Sequence, residues 1–211
     1  MDRKYKYLGY FFLLLIPLIF AGFYQSYFKT FPNFGKNFDI YLHLHSIIAT
    51  IWVAILIVQP FLIANKKVAI HRTVGKLSYI VFPLLILSFI PRIIKTFNAG
   101  EYPYLFFPIV DGTLLILFYG LAIYHKKKTG KHMRYMIASA LVLLGPTVGR
   151  IGPHLFGWSE LLTQNIQYLM IDTILISLIL YDKKNHRQYQ PYLVTIALFF
   201  VHQIIYHLVF L

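Results

Sequence analysis

Histidines and carboxylates placed inside long apolar segments are the residues of this 211-residue chain that can do chemistry. The stretch YLHLHSIIATIWVAILIVQP, residues 41–60, carries His43 and His45 near its start. Asp111 and His202 lie inside two other apolar runs. Charged side chains deep in a bilayer cost about 2.5–3.5 kcal/mol each on insertion scales, and they usually face a polar interior. We therefore expect these groups to converge on one buried polar site.

Imidazole and carboxylate are the strong ligands available to a chain that contains no cysteine. Helical bundles hold cofactors between inward-facing histidines, so the pattern fits a haem or a divalent metal such as zinc, iron or copper. An outer haem pair would be His45 with His202, and an inner pair would be His71 with His125 or His132. The candidate metal ligands are His45, Asp111, His154, His202 and His207. The candidate cofactor-binding residues are His45, His202, Arg150 and Arg92.

Three classes of function stay open on these residues. The first is a haem-containing or metal-containing membrane protein with a redox or cofactor-handling role. The second is a ligand-binding, transporter-like protein or an accessory subunit of a membrane complex, with Arg150 and Arg92 facing an anionic ligand. The third is a metal-dependent lipid hydrolase, for which Ser46 and the histidines supply the residue types but not the S-x-x-x-H and H-x-x-x-H spacings. No catalytic residue is assigned.

Membrane helices are the elements that would position these side chains. Hydrophobic residues make up 58% of the chain and charged residues 13%. Several apolar runs reach the roughly 20 residues that a helix needs to cross a bilayer. The sequence predicts an all-α bundle of seven transmembrane helices, in a single integral membrane domain covering residues 1–211. The predicted spans are 8–28, 38–64, 75–97, 103–124, 132–156, 160–181 and 191–211.

The basic residues indicate which way the helices run. Of the 20 Lys and Arg residues, 15 lie in the N-terminal segment and in alternate connections, and five lie on the other side. The positive-inside rule then places the N-terminus in the cytoplasm and the C-terminus outside, in the cytoplasmic (inner) membrane. The same rule accounts for the net charge of +13 without a nucleic-acid partner. The lipid bilayer is the expected environment, and a homo-oligomer or a membrane-complex partner is left open.

This topology assigns each polar residue a depth in the outer half of the bundle. At about 1.5 Å per residue, His45 lies roughly 10 Å from its helix end and His202 roughly 13 Å. Asp111 and Arg150 have depths similar to that of His45, and we expect an ion pair between them because each offsets the other's burial. Asp172 lies nearer the membrane centre. Amides near the outer start of the sixth span add further polar groups, namely Gln164, Asn165 and Gln167.

Two stretches contain an ordered set of polar residues. The first, HSIIATIWVAILIVQPFLIANKKVAIHRTVGKLSY, has a His, a Gln fourteen residues later and then H-R-x-x-G-K. The second, HMRYMIASALVLLGPTVGR, has H-x-R-Y-M-I-x-S and then an Arg eleven residues after the Ser. The residues concerned are His45, Gln59, His71, Arg72, Gly75, His132, Arg134, Met136, Ser139 and Arg150.

The pattern resembles a bacterial family of multi-pass membrane proteins known only as a domain of unknown function. The resemblance covers about residues 40–150. It implies a helical bundle, and it gives weight to His45, Arg150 and the two cytoplasmic histidine motifs as a set. Ala138 stands where the family tends to have Arg, so a site that depends on that Arg would differ here.

Overall fold

The computed structural model describes residues 7–32, 34 and 39–211. The described residues form α-helices joined by short 3₁₀ and π segments and contain no β-strand, which confirms the all-α class. The chain divides into two compact units, Met1–Lys95 and Thr96–Leu211. The α-helices are α1 (Leu8–Leu13), α2 (Leu15–Phe23), α3 (Ile40–Ala64), α4 (Val68–Leu87), α5 (Ile90–Asn98), α6 (Gly112–Tyr124), α7 (Thr129–Val142), α8 (Leu144–Phe156), α9 (Glu160–Lys184) and α10 (Gln190–Phe210).

Six helical segments in the described part of the chain are long and apolar enough to cross a membrane. They match six of the seven predicted spans, with ends that differ by seven residues at most. They are Ile40–Ala64, Val68–Asn98, Tyr102–Tyr124, Thr129–Phe156, Glu160–Lys184 and Gln190–Phe210. Helices of this length and composition are those of a multi-pass membrane protein.

The predicted first span, residues 8–28, is a shorter apolar segment in the structure. Helices α1 and α2 together cover Leu8–Phe23, with a break at Leu14. Sixteen residues of helix extend about 24 Å, less than the roughly 30 Å hydrocarbon thickness of a bilayer. The count of seven crossings therefore stays a prediction.

Within the first unit, α1 and α4 both pack against α3. Gly9 permits the close approach of α1, because a Cβ atom at this position would lie 2.9 Å from three ring atoms of Phe61. On the α4 side, the rings of Trp52 and Phe82 have centroids 5.1 Å apart, and both side chains are buried. These contacts form the apolar core of the first unit.

Helix α3 begins at a side-chain cap. Asp39 Oδ1 accepts hydrogen bonds from the backbone N–H groups of Tyr41 and Leu42, at 3.0 and 3.2 Å. Such a cap satisfies N–H groups that have no partner inside the helix. The bond from Leu42 is the main cause that lowers the pKa of Asp39, and Lys95, with Nζ 3.5 Å from Oδ2, adds to it.

The second unit is built on helix pairs: α6 with α7, α8 with α9, and α10 against both α7 and α9. Gly152 of α8 permits close packing on α9, because a Cβ atom there would overlap the side chain of Thr163. A π-helical segment, Phe107–Asp111, precedes α6. π-Helical turns are rare and frequently mark functional sites.

Candidate functional site

His202 on α10 lies at the centre of a hydrogen-bonded chain of side chains. Its Nε2 atom is 2.9 Å from Asp111 Oδ1, and its Nδ1 atom is 3.0 Å from the hydroxyl of Tyr168. The imidazole is 2% exposed, so its ring nitrogens depend on protein groups and not on bulk water for hydrogen bonds. Both bonds are satisfied by a neutral ring in which Nε2–H donates to Asp111 and Nδ1 accepts from Tyr168.

Three elements of the second unit bring these groups together. Asp111 is the last residue of the π-helical segment, Tyr168 belongs to α9 and His202 to α10. A π-helical turn contains more residues than an α-helical turn, so it changes the direction in which the side chains at its end point, and Asp111 is at that end. Two members of the predicted set, Asp111 and His202, therefore meet as expected.

Aromatic side chains enclose His202. Phe106, Tyr168 and Tyr206 form a buried cluster, and the ring of Phe106 meets the imidazole edge-on with centroids 4.7 Å apart. Burial in apolar surroundings strengthens a hydrogen bond and raises the cost of leaving one unmade. The aromatic cluster therefore holds the imidazole in one orientation.

Asp111 and the amide of Gln167 face the same side of α8. A Cβ atom built on Gly145 would lie 3.4 Å from Asp111 Oδ2 and 3.5 Å from Gln167 Nε2, which are ordinary contact distances. Gln167 is 3% exposed, and its buried Oε1 atom has no hydrogen-bond partner among the described residues. The side chain of Asp111 keeps 19% of its surface exposed.

The partner of Asp111 differs from the one expected. The sequence predicts an ion pair with Arg150, but the carboxylate bonds to His202, while Arg150 Nη1 donates to the backbone oxygen of Pro146 at 2.7 Å. Arg150 lies on α8 and bonds the carbonyl one turn before it, so part of its hydrogen-bonding capacity is used within its own helix. Similar depth in the membrane did not determine which side chains meet.

The other predicted residues of the outer half form hydrogen bonds of their own, although the ring of His207 also contacts that of Tyr168, with centroids 6.3 Å apart. Asp172 accepts both of its recorded bonds from Gln203 Nε2, at 3.1 and 3.0 Å. His207 Nδ1 bonds the backbone oxygen of Gln203 at 2.8 Å, and His154 is exposed on α8. These three residues are not joined to the His202 chain by a recorded bond.

A buried ion pair joins α7 and α9. Arg134 Nε lies 2.6 Å from Asp182 Oδ2, and the side chains are 4% and 0% exposed. Arg134 also donates to the backbone oxygen of Gly130 and stacks 5.8 Å from the centroid of the Tyr192 ring. Arg134 was singled out from the sequence, but its partner Asp182 was not.

Two histidines of the predicted cytoplasmic side have local roles. His132 Nδ1 bonds the backbone oxygen of Ala122 at 2.8 Å, which links α7 to the end of α6. His125 stacks on Tyr135 with ring centroids 5.8 Å apart. Desolvation and the nearby Lys131 and Lys128 lower the pKa of His125.

The predicted residues of the first unit also have defined surroundings. His45 Nδ1 lies 2.8 Å from the hydroxyl of Ser88, and Gln59 Nε2 donates to the backbone oxygen of His71 at 3.2 Å. These bonds connect α3 to α4 and to the residue that follows it. Arg72 and Arg92 are exposed.

No group of three or more His, Asp and Glu side chains that could hold a metal ion occurs within the described residues of either unit. The residues predicted as metal ligands thus do not form such a group within either unit. His202 uses both ring nitrogens in bonds to Asp111 and Tyr168, which leaves neither nitrogen available as an axial haem ligand without breaking one of them.

Sequence reasoning missed three residues of the second unit. Tyr168 is one of 17 tyrosines, most of which the sequence places at helix ends as interfacial residues. Asp182 directly precedes Lys183 and Lys184, so it resembles a loop charge. Gln203 follows His202 in an otherwise apolar run, and that position was a usable signal of inward-facing polarity.

Comparison with known proteins returned no similar family or fold. No family model matches the chain, no curated protein is similar to it, and no solved structure resembles it. The class that the helices and their composition support is an all-α, multi-pass membrane protein in a lipid bilayer.

Proposed function

We propose that the second unit binds a small polar molecule within the membrane, in a ligand-binding or transporter-like role. The observation that carries this proposal is the chain Tyr168–His202–Asp111, which fixes the carboxylate of Asp111 through Oδ1 and leaves Oδ2 without a recorded hydrogen bond. Preorganised polar groups of this kind, set in apolar surroundings, are characteristic of small-molecule sites.

A buried amide oxygen without a partner supports the same proposal. A buried polar atom normally finds a hydrogen-bond partner, and one left without a partner costs roughly 1–3 kcal/mol. Gln167 Oε1 has none among the described residues, and it lies on the helix that also carries Tyr168. A ligand with a hydrogen-bond donor would satisfy this atom.

The haem, metal and lipid-hydrolase alternatives have less support. Each needs ligands from several histidines or carboxylates, and both nitrogens of His202 already have partners. Two measurements on the purified protein separate these alternatives. A haem protein shows a Soret band in its absorption spectrum, and elemental analysis gives the content of zinc, iron or copper.

Native mass spectrometry tests the binding proposal directly. The protein is extracted from its expression membrane into detergent, and bound species below about 1 kDa are sought after the detergent is removed. We expect a 1:1 adduct on the wild-type protein that is lost in Asp111→Asn and kept in the matched variant Asp172→Asn. An adduct of equal occupancy in all three proteins, or in none, would contradict the proposal.

The membrane arrangement is part of the same proposal. We propose seven crossings, with the N-terminus in the cytoplasm and the C-terminus outside the cytoplasmic membrane, on the distribution of Lys and Arg. The resemblance of residues 40–150 to a family of multi-pass membrane proteins implies a helical bundle, and it gives neither the number nor the direction of the crossings. Alkaline phosphatase fused to the C-terminus would be active only if the C-terminus lies outside, so an inactive, stably produced fusion would overturn the orientation.

A further inference from the structure

Two connections of the second unit, α6–α7 and α9–α10, lie at the same end of its helices. Arg134, near the start of α7, forms its ion pair with Asp182 in the last turn of α9. The guanidinium of Arg134 also lies 5.8 Å from the centroid of the ring of Tyr192, in the first turn of α10. These contacts hold the two connections next to each other.

The charges in these connections are almost all positive. Residues 125–134 and 181–190 contain eight basic residues and a single acidic one, Asp182. Asp182 is 0% exposed and its charge is matched by Arg134, so it offsets none of the other basic residues. Four of them are exposed, form no ion pair with a described residue and are called the lysine cluster below: Lys127, Lys128, Lys183 and Lys184.

Exposed tyrosines beside the lysine cluster indicate its height in the membrane. Tyr124 is the last residue of α6 and is 81% exposed, and Tyr181 in the last turn of α9 is 37% exposed. Tyrosine is enriched at the level of the lipid headgroups. The four lysines follow these two tyrosines by two to four residues, so their ammonium groups reach the phosphate layer.

His125 reports the positive potential at this end of the unit. Desolvation lowers the pKa of His125, and the charges of Lys131 and Lys128 lower it further. Like charges disfavour a further proton on the imidazole, and the same field attracts an anion. The complement of this surface is therefore a negatively charged group at headgroup height.

We propose that the lysine cluster binds the phosphate of an anionic membrane lipid, with the acyl chains beside the apolar helices of the second unit. Phosphatidylglycerol has this chemistry. Phosphatidylcholine has the same phosphate, but its quaternary ammonium group cancels the charge, so it is the matched neutral lipid. The inference goes beyond the proposed ligand-binding function, because Asp111 precedes α6 whereas the lysine cluster lies past its other end.

The experiment follows the melting temperature of the purified protein in detergent while each probe is added at constant pH. A lipid that binds the folded state raises the melting temperature in a saturable manner. We expect a larger rise with phosphatidylglycerol than with phosphatidylcholine of identical acyl chains, and a smaller difference at high salt because salt screens the charges. Glycerol 3-phosphate, compared with sodium chloride at equal ionic strength, tests a soluble phosphate and should give no saturable rise.

A charge-neutralising variant locates the binding surface. Replacing all four lysines of the cluster by Gln should weaken the apparent affinity for phosphatidylglycerol by at least about ten-fold. Two smaller variants, Lys127→Gln with Lys128→Gln and Lys183→Gln with Lys184→Gln, should each give part of that loss, and they test the surface even if the four-fold variant does not fold.

The matched control removes four exposed positive charges from the first unit, around the α3–α4 connection. Its substitutions are Lys66→Gln, Lys67→Gln, Arg72→Gln and Lys76→Gln. The net charge changes by the same amount as in the cluster variant, so a loss caused by net charge alone would be equal in the two proteins. We expect the control to lose much less affinity.

Equal rises with the two lipids, or no rise with either, would overturn the proposal. An undiminished affinity in the cluster variants would also overturn it, as would equal losses in the four-fold variant and its control. A saturable rise with glycerol 3-phosphate that matches the rise with phosphatidylglycerol would assign a soluble phosphate and reject the lipid. All of these variants keep Asp111, so this inference and the proposed binding function fail separately.

Discussion

Arg134 and Asp182 form an ion pair with 2.6 Å between Nε and Oδ2, and both side chains are almost completely buried. The pair joins α7 to the C-terminal turn of α9, on the side of the bundle where the sequence places the cytoplasm. Removing one partner of a buried pair leaves a charge without compensation, whereas replacing both partners by apolar groups is often neutral.

Asp182→Ala should therefore destabilise the protein by about 3–5 kcal/mol. The double variant Arg134→Met with Asp182→Leu should recover most of that loss, because neither charge of the pair remains. Thermal unfolding in detergent measures both. If the double variant is as unstable as the single one, the pair is not the reason for the loss.

Gly152→Ala should destabilise the packing of α8 on α9. A Cβ atom at this position would overlap the side chain of Thr163, which is 1% exposed and has no room to move away. Overpacking of this kind typically costs about 1–3 kcal/mol. Gly120→Ala adds the same atom where it meets nothing, so its melting temperature should equal or exceed that of the wild type. Equal melting temperatures for the two variants would argue against the close helix contact.

Asp39 should make the start of α3 sensitive to acid. Hydrogen bonds from the backbone lower the pKa of Asp39 in the folded state, so its stabilising effect is present above the unfolded pKa of about 3.9 and is lost as the pH falls through the lower folded value. Asn also caps helices but does not titrate in this range. Asp39→Asn should therefore flatten the acid limb of the unfolding curve between about pH 5 and 2, while Asp39→Ala should cost about 1 kcal/mol at neutral pH. An unchanged acid limb in Asp39→Asn would show that other carboxylates set it.

Tyr168→Phe should weaken ligand binding without removing any group that contacts the ligand. The hydroxyl of Tyr168 fixes the orientation of His202, and its loss leaves Nδ1 buried without a donor. The cost of one such atom is roughly 1–3 kcal/mol, part of which falls on stability and part on the orientation of Asp111. The measurement is the occupancy of the 1:1 adduct in native mass spectrometry, titrated with the molecule that the wild-type adduct identifies. Tyr192→Phe, on a different buried tyrosine of the same unit, should leave the apparent affinity unchanged.

The helices could be predicted from the sequence because a bilayer imposes a length and an apolar composition on each span. Six predicted spans match helical segments, with the largest deviation at the start of α4, where Val68 precedes the predicted residue 75. Arg72 lies before the predicted start of this span, and Lys76 lies one residue after it. They lie inside the helix because a basic residue near a helix end can keep its charge at the membrane surface.

The site could be predicted only as a set of depths. Asp111 and His202 are both costly to expose to lipid, and their contact removes part of that cost. The sequence pattern does not reveal the rotation of each helix about its axis. Opposite charge at a similar depth therefore favours Arg150 as the predicted partner of Asp111. The π-helical segment before α6 sets the position of Asp111, and the sequence FPIVD contains no pattern that predicts a π-helix.

A direct test of the account is the contact between Asp111 and His202. Solid-state NMR of the protein in lipid, labelled with ¹³C at the aspartate carboxyl carbons and with ¹⁵N in the histidine rings, reports carboxylate–imidazole contacts through dipolar recoupling. The chain has seven acidic residues and nine histidines, so the spectrum is sparse enough to assign by substitution. We expect one cross peak that disappears in both Asp111→Asn and His202→Gln. A wild-type spectrum without that peak, or a peak that survives both substitutions, would contradict the account.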